Sequence, residues 1–254
     1  MSRKKKLIVI YSVIAFFIIA AVMFVFSLPG ENLHIPITGS VVLLDHPPRL
    51  SDVIPYIQDG DIILRMTEGT WSMTFREFSP KDKRFSHCGI VRKRDSEITI
   101  IQSMGSFSNP DMGVEQVSLN NFLTVASSVG IFRLKGADGS VISDTAMLYL
   151  DRLFDFDFDL EDDSKVYCTE LLYLSLKPLN YEHILPKVYI DEIGKPAITM
   201  DSISNNSAFE ELVYIIDKNG ITIDEENQAV LRRDNPVKVK LIQRLIIRFG
   251  KNKK

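Results

Sequence analysis

Residues 163–176 read Asp-Ser-Lys-Val-Tyr-Cys-Thr-Glu-Leu-Leu-Tyr-Leu-Ser-Leu. From Thr169 onward, Leu171, Leu172, Leu174, Ser175 and Leu176 fit a buried helix of a little over two turns. Asp163 and Ser164 ahead of it are helix-start residues. Cys168 then falls in the first turn, where unpaired backbone N–H groups and the helix dipole favour negative charge. A thiol placed there ionises more easily, and the thiolate is the nucleophile. Taken alone, a cysteine in a leucine-rich helix is more often core than catalytic. The rest of the chain has to overturn that preference.

Working outward, the preceding segment, Phe154-Asp-Phe-Asp-Phe-Asp-Leu160, alternates strictly between aromatic and acidic residues. That pattern predicts a half-exposed strand. Asp155, Asp157 and Asp159 lack the glycine and distal glutamate of a calcium-binding EF-hand loop, so a solvated strand face is expected. Further upstream, Ser140–Phe154 has helical spacing and Val129–Leu134 reads as a strand. Leu119–Val125 reads as a short helix capped by Ser118, and Gly105–Gly113 as a polar loop.

A hairpin comes before these elements. Phe85–Val91 forms one strand, Arg92–Glu97 a polar connection and Ile98–Gln102 the return strand. A loop centred between Arg94 and Asp95 sets His87 directly opposite Gln102, and opposed residues share a sheet face. Alternation turns Cys88 to the other face. On that basis Cys88 points away from Cys168 and both thiols are free in the active protein. A Cys88–Cys168 disulfide would block the nucleophile. Gln58–Arg65 carries an Asp-Gly turn followed by a short buried strand, after a short helix at Leu50–Ile57. Residues 66–84 have no clean period and are read as an irregular segment that could form a groove wall.

The ends of the chain are basic and its body is acidic. Residues 1–6 contain Arg3, Lys4, Lys5 and Lys6, and residues 236–254 add seven more bases with no acid, although the whole chain sums to −3. An acidic body excludes a nucleic-acid-binding domain, whose folded part would be basic. Leu7–Leu28 is uncharged and contains no proline, long enough to cross a bilayer of ~30 Å. The four flanking bases put its N-terminal end in the cytoplasm. A cleaved signal peptide is the competing reading, but this run is longer than a usual signal core and has a poor cleavage site. The expected organisation is therefore a basic tip at 1–6, a single-pass transmembrane anchor at 7–28, a linker at 29–48 whose apolar patch Ile37–Leu44 suits an early strand, a catalytic domain at 49–235 and a basic tail at 236–254. In that tail Leu241, Leu245 and Phe249 recur at helical spacing, as in an amphipathic helix on anionic lipid; a helix packed on the domain is equally compatible. Ser207–Ile216 is read as a helix, Lys218-Asn219-Gly220 as a turn and Gln228–Arg233 as a short strand or helix.

Five stretches now stand in a telling order: Asp-Gly-Asp-Ile-Ile (59–63), Ser-His-Cys-Gly-Ile-Val (86–91), Gly-Val (113–114), the Phe-Asp repeat (154–159) and Tyr-Cys-Thr-Glu-Leu (167–171). That order resembles permuted papain-like cysteine hydrolases of the NlpC-type superfamily, in the YiiX/YebB-like group. Pro196–Ile203 is similar to that group's C-terminal segment. The resemblance covers roughly 50–180 and implies an α+β, circularly permuted papain-like domain: an antiparallel sheet with a helix carrying the cysteine. It also implies that Cys168 is the nucleophile, His87 the general base and Gln102 the third, orienting residue. That third position is often a histidine or an acid, and a glutamine orients an imidazole without offsetting its charge. Tyr167 and Glu170 are candidates for supporting positions, and Glu170 also suits a helix start as a negative charge. His34, His46 and His183 lie in linker- or loop-like sequence and are poorer bases.

No cofactor is implied, and two cysteines with scattered histidines do not have metal-ligand spacing. Three function classes follow: an anchored thiol hydrolase acting on a peptide or lipid substrate outside the cytoplasm, a degenerate domain that binds such substrates, and an envelope scaffold. Tethering tilts the first toward lipid or lipidated substrates, with wall peptides also within reach.

Overall fold

The runs Ile62-Ile63-Leu64 and Val213-Tyr214-Ile215-Ile216 have no exposed face, the pattern of strands covered on both sides. The computed structural model describes residues 3–106, 109–219, 222–226 and 228–233. The chain begins with α1 (Arg3–Ser27), β1 (Glu31–Pro36), β2 (Ser40–Leu44), α2 (Leu50–Val53), β3 (Ile62–Thr67) and α3 (Thr70–Phe78). It continues through β4 (His87–Arg94), β5 (Glu97–Ser103), β6 (Val114–Ser118), α4 (Leu119–Leu123), β7 (Ala126–Leu134) and α5 (Gly139–Met147). After these come α6 (Cys168–Leu176), β8 (Lys187–Ile190), β9 (Lys195–Ile198), α7 (Asp201–Ser204), β10 (Phe209–Asp217), β11 (Thr222–Ile223) and β12 (Gln228–Arg233).

Seven strands form the main sheet in the order β2-β10-β7-β3-β4-β5-β6. All neighbours are antiparallel except β2 and β10. Alternation along β3 and β4 divides the core. Ile62, Leu64, Cys88 and Ile90 face one way with residues of α5 and α6. Ile63, Val91 and Ile100 face the other way with α2 and α4. A third cluster joins Phe78, Phe154, Phe158 and Tyr167, with Phe75 packed against it. The turn before β3 depends on Gly60, whose φ is +78° and where a Cβ would meet the Gly139 backbone at 2.2 Å.

Several expectations need correction. Residues 29–48 hold more than the one early strand read at Ile37–Leu44: β2 lies in that patch and pairs with β10, and β1 precedes it and pairs with β12. Ser207–Ile216 is not a helix but leads into β10, because Val213–Ile216 is apolar on both faces and only a sandwiched strand buries both. Residues 66–84 contain α3. Helical structure after Gly139 stops at Met147 rather than continuing to Phe154. Residues 154–160 form no strand, since the Asp155 carboxylate accepts the N–H groups of Asp157 at 2.8 Å and Asp159 at 2.5 Å. Such local side-chain bonds compete with a ladder. Phe158 then adopts φ +54°, turning its ring into the aromatic cluster. Gly220 and the tail at 236–254 lie outside the described residues. The Ser118 cap is present, its Oγ accepting from Asn121 N at 3.1 Å.

Helix α1 is long and apolar enough to cross a membrane: Ile10–Ser27 has a mean hydropathy of 2.6, and none of it is buried by the rest of the chain.

Candidate functional site

The helix that brings in Cys168 starts later than Asp163 and Ser164 suggest. Tyr167 is its N-cap and Cys168 its first helical residue. Tyr167 N donates to Glu170 Oε2 at 3.2 Å, closing one arm of a capping box. Tyr167 Oη accepts from Ile198 N at 2.9 Å while Thr169 Oγ1 donates to Ile198 O at 2.7 Å, so β9 grips the helix start by a single residue. Ser103 Oγ donates to Val166 O from β5. The cysteine is therefore held at a fixed height over the sheet.

Glu170 does not act as the helix-start charge expected of it. It is 0% exposed, and burial, reinforced by the nearby Asp155 charge, raises its pKa to about 8 against the Tyr167 N–H. The folded chain thus keeps a proton that the unfolded chain releases near 4.5. Because the folded state binds more protons across that window, stability falls as pH rises from about 4.5 to about 8. Glu170→Gln keeps an acceptor for Tyr167 N and is expected to flatten that slope. Urea midpoints at pH 5 and pH 8.5 check this, and an equal drop in both proteins would count against it.

His87 opens β4, at the edge of the sheet region that α6 overlies. The hairpin ladder runs from Arg94↔Glu97 to Ile90↔Ile101, two residues away from the expected register. Continuing it sets Gln102 beside Gly89, with His87 one same-face step along. A shift of two preserves the side-chain face, and so the contact survives as a diagonal one. His87 Nε2 lies 2.9 Å from Gln102 Oε1. Behind it, Gln102 Nε2 donates to Glu115 Oε1 at 3.0 Å, from the directly opposed position on β6. A carboxylate accepts, so Glu115 fixes the amide with its oxygen toward the imidazole. Nε2 of His87 must then carry the hydrogen, which leaves Nδ1 for the thiol. Glu115 was not singled out in the sequence. Only the pairing of a third strand, β6, reveals it.

These elements have the reach and order of a permuted papain-like site. Residues 56–208 match the permuted papain-like amidase family YaeF/YiiX, C92. The chain belongs to this family. A solved structure described as metalloprotein yiiX from Escherichia coli O157:H7 is similar in fold, with 15% identity and a TM-score of 0.52 over 62% of this chain and 97% of that chain. No curated protein sequence matches the chain.

Within this C92-family domain Cys88 departs from expectation. Alternation does turn it away from His87, but toward the face on which α6 packs. Cys168 arrives at the very start of β4 and so meets both neighbours. The two thiols are free and close enough to shift each other's ionisation. The bond from Cys88, then the hydrogen bond and charge of His87, hold Cys168 well below the ordinary thiol value against the effect of burial. Burial and the negative charge at Cys168 push Cys88 well above it. Cys88→Ala is expected to move the pH midpoint for Cys168 alkylation upward, read by mass mapping across a pH series. An unchanged midpoint would dismiss the donor role.

Cys168 and His87 open onto a cleft of about 70 Å³ whose walls include Arg65, Ser72, Phe75 and Phe154. Helix α3, from the segment read as irregular, provides Ser72 and Phe75. Among the described residues no group of three or more His, Cys, Asp or Glu side chains converges to hold a metal.

Proposed function

We propose that this C92-family hydrolase is a membrane-anchored, extracytoplasmic cysteine amidase, with Cys168 as nucleophile, His87 as general base and Gln102 as orienting residue. The observation that carries this reading is Cys168 beside His87 on one cleft, with the hydrogen-bonded chain His87–Gln102–Glu115 behind the imidazole. His87 Nδ1 takes the thiol proton, and the thiolate attacks the carbonyl carbon to form a tetrahedral oxyanion. Cys168 is the first residue of α6, so its own N–H has no intrahelical acceptor and is available to that oxyanion. His87 then returns the proton to the leaving amine, giving a thioester that water or another acceptor resolves. Gln102 and Glu115 hold the imidazole in the tautomer this sequence of transfers needs. Tyr167 and Glu170 support the helix start from behind.

The similar Escherichia coli structure is described as a metalloprotein. The residues described here do not make a convergent donor set, so no step is routed through a metal.

The anchor is residues 7–28, with the basic tip on the cytoplasmic side and the domain outside. Glu31, four residues beyond Ser27, pairs with Arg233. The chain therefore enters its basic tail beside the strand that follows the anchor, which supports contact of residues 236–254 with anionic headgroups.

The test is a screen of the detergent-solubilised full chain against muropeptides, simple N-acyl amides and phospholipids, with Cys168→Ala as control. Amine release by the wild type alone is expected. Turnover by the Cys168→Ala protein would end this reading, and fatty-acid release without amide cleavage would move it to lipid acyl chemistry.

A further inference from the structure

Arg65 lies on β3 with 3% of its surface exposed, and among the described residues no carboxylate hydrogen-bonds it. Its Nη1 donates to Phe122 O, its Nη2 reaches Met104 Sδ at 3.6 Å, and its Nε has no partner. The guanidinium stacks 4.1 Å from the centroid of the Phe122 ring. These contacts fix the plane of the fork and leave donors unused, since a thioether is a weak acceptor. Burial without a bonded counter-ion is unfavourable for a cation. It lowers the pKa of Arg65 to about 10, with the charge of Cys168 and then of Glu115 opposing. Arg65 is also the one arginine or lysine among the described residues lining the cleft that holds Cys168 and His87.

We propose that Arg65 is an anion-binding arm of this cleft, and that the acyl donor carries a carboxylate next to the bond Cys168 attacks. The inference rests on Cys168 being the nucleophile. A planar guanidinium matches a carboxylate through parallel N–H bonds. Phe75 and Phe154 on the same walls provide an apolar rest for the remainder of the acyl group. A substrate carboxylate would add a directly bonded counter-ion to the more distant charges of Cys168 and Glu115.

Iodoacetate and iodoacetamide test this without knowledge of the substrate, because they differ by one carboxylate and both report the same thiolate. Their rate ratio at Cys168 cancels any effect on its pKa, and the His87 charge is common to every protein compared. Arg65→Met is expected to lower the iodoacetate-to-iodoacetamide ratio at least about tenfold, the scale of a hydrogen bond to a charged group. Arg65→Lys should retain part of it. In the wild type, millimolar glutarate should slow iodoacetamide while glutaramide does not, an arm that needs no variant to fold. A ratio unchanged in Arg65→Met, or equal protection by glutarate and glutaramide, overturns the proposal. Protection by glycerophosphate in place of glutarate overturns the carboxylate assignment. If neither reagent modifies wild-type Cys168 at pH 6, the nucleophile assignment itself fails.

Discussion

His87→Ala is expected to slow alkylation of Cys168 at pH 6 by about 100-fold, because an ordinary thiol with a pKa near 8.5 is well under 1% thiolate there. In the wild type the thiolate is held first by the Cys88 bond and then by the His87 bond and charge, both working against burial. Removing the imidazole takes away its charge and leaves only Cys88, a neutral group, to oppose burial, so Cys168 moves up toward the ordinary thiol range. Turnover, once a substrate is in hand, should fall by roughly 10⁴, the scale seen when one member of such a constellation is removed. Glu115→Gln is a milder change: both amides can then rotate, so the orientation of Gln102 is no longer dictated. Its effect should appear in kcat with little change in the alkylation midpoint. A His87→Ala protein that alkylates at the wild-type rate at pH 6 would dissolve the pair.

Arg84→Met is expected to cost about 3–5 kcal/mol of stability, the penalty for leaving buried charges without their partner. Arg84 is 1% exposed and meets Asp82 Oδ2 from Nη2 at 2.8 Å and Glu211 Oε1 from Nη1 at 2.5 Å. Although burial works against its charge, these two carboxylates hold the guanidinium protonated beyond its ordinary range. It also stacks 4.9 Å from the Tyr214 ring centroid and 5.0 Å from that of Phe85. Glu211 accepts in turn from Thr38 N and Thr38 Oγ1, both at 2.9 Å, and Asp82 N donates to Asp201. The variant would strand Asp82 and Glu211, so urea titration at pH 7 should reveal the loss. Adding Glu211→Leu should restore part of it. A loss below about 1 kcal/mol would mean that water reaches the carboxylates. Because Arg84 stands three residues ahead of His87, a loosened clamp should also slow Cys168 alkylation.

Local pattern made much of this site legible. A cysteine before a leucine-rich helix, a histidine on a hairpin strand and their order along the chain were enough to nominate Cys168, His87 and Gln102. The hairpin register was misjudged by two residues without harm, since an even slip leaves every side chain on its own face. The same alternation misled for Cys88, because a sheet has two faces and sequence spacing does not say which one a distant helix will cover. Phe154–Leu160 failed for another reason. Its alternation is strand-like, but the Asp155 carboxylate captured two backbone donors that a strand would have committed to a neighbour.

By itself, then, the sequence determined what repeats over short distances: the long apolar helix near the N-terminus, the capped helices, the alternating strands and the cysteine and histidine to nominate. Those depend on periodicities of two and 3.6 residues and on the chemistry of single side chains. Only the tertiary structure decided which strands adjoin, and therefore that Glu115 stands behind Gln102, that Cys88 lies beside Cys168 and that buried Arg65 has no carboxylate bonded to it among the described residues. Those facts depend on contacts between residues far apart in the chain, and no local period encodes which distant segments will share a face.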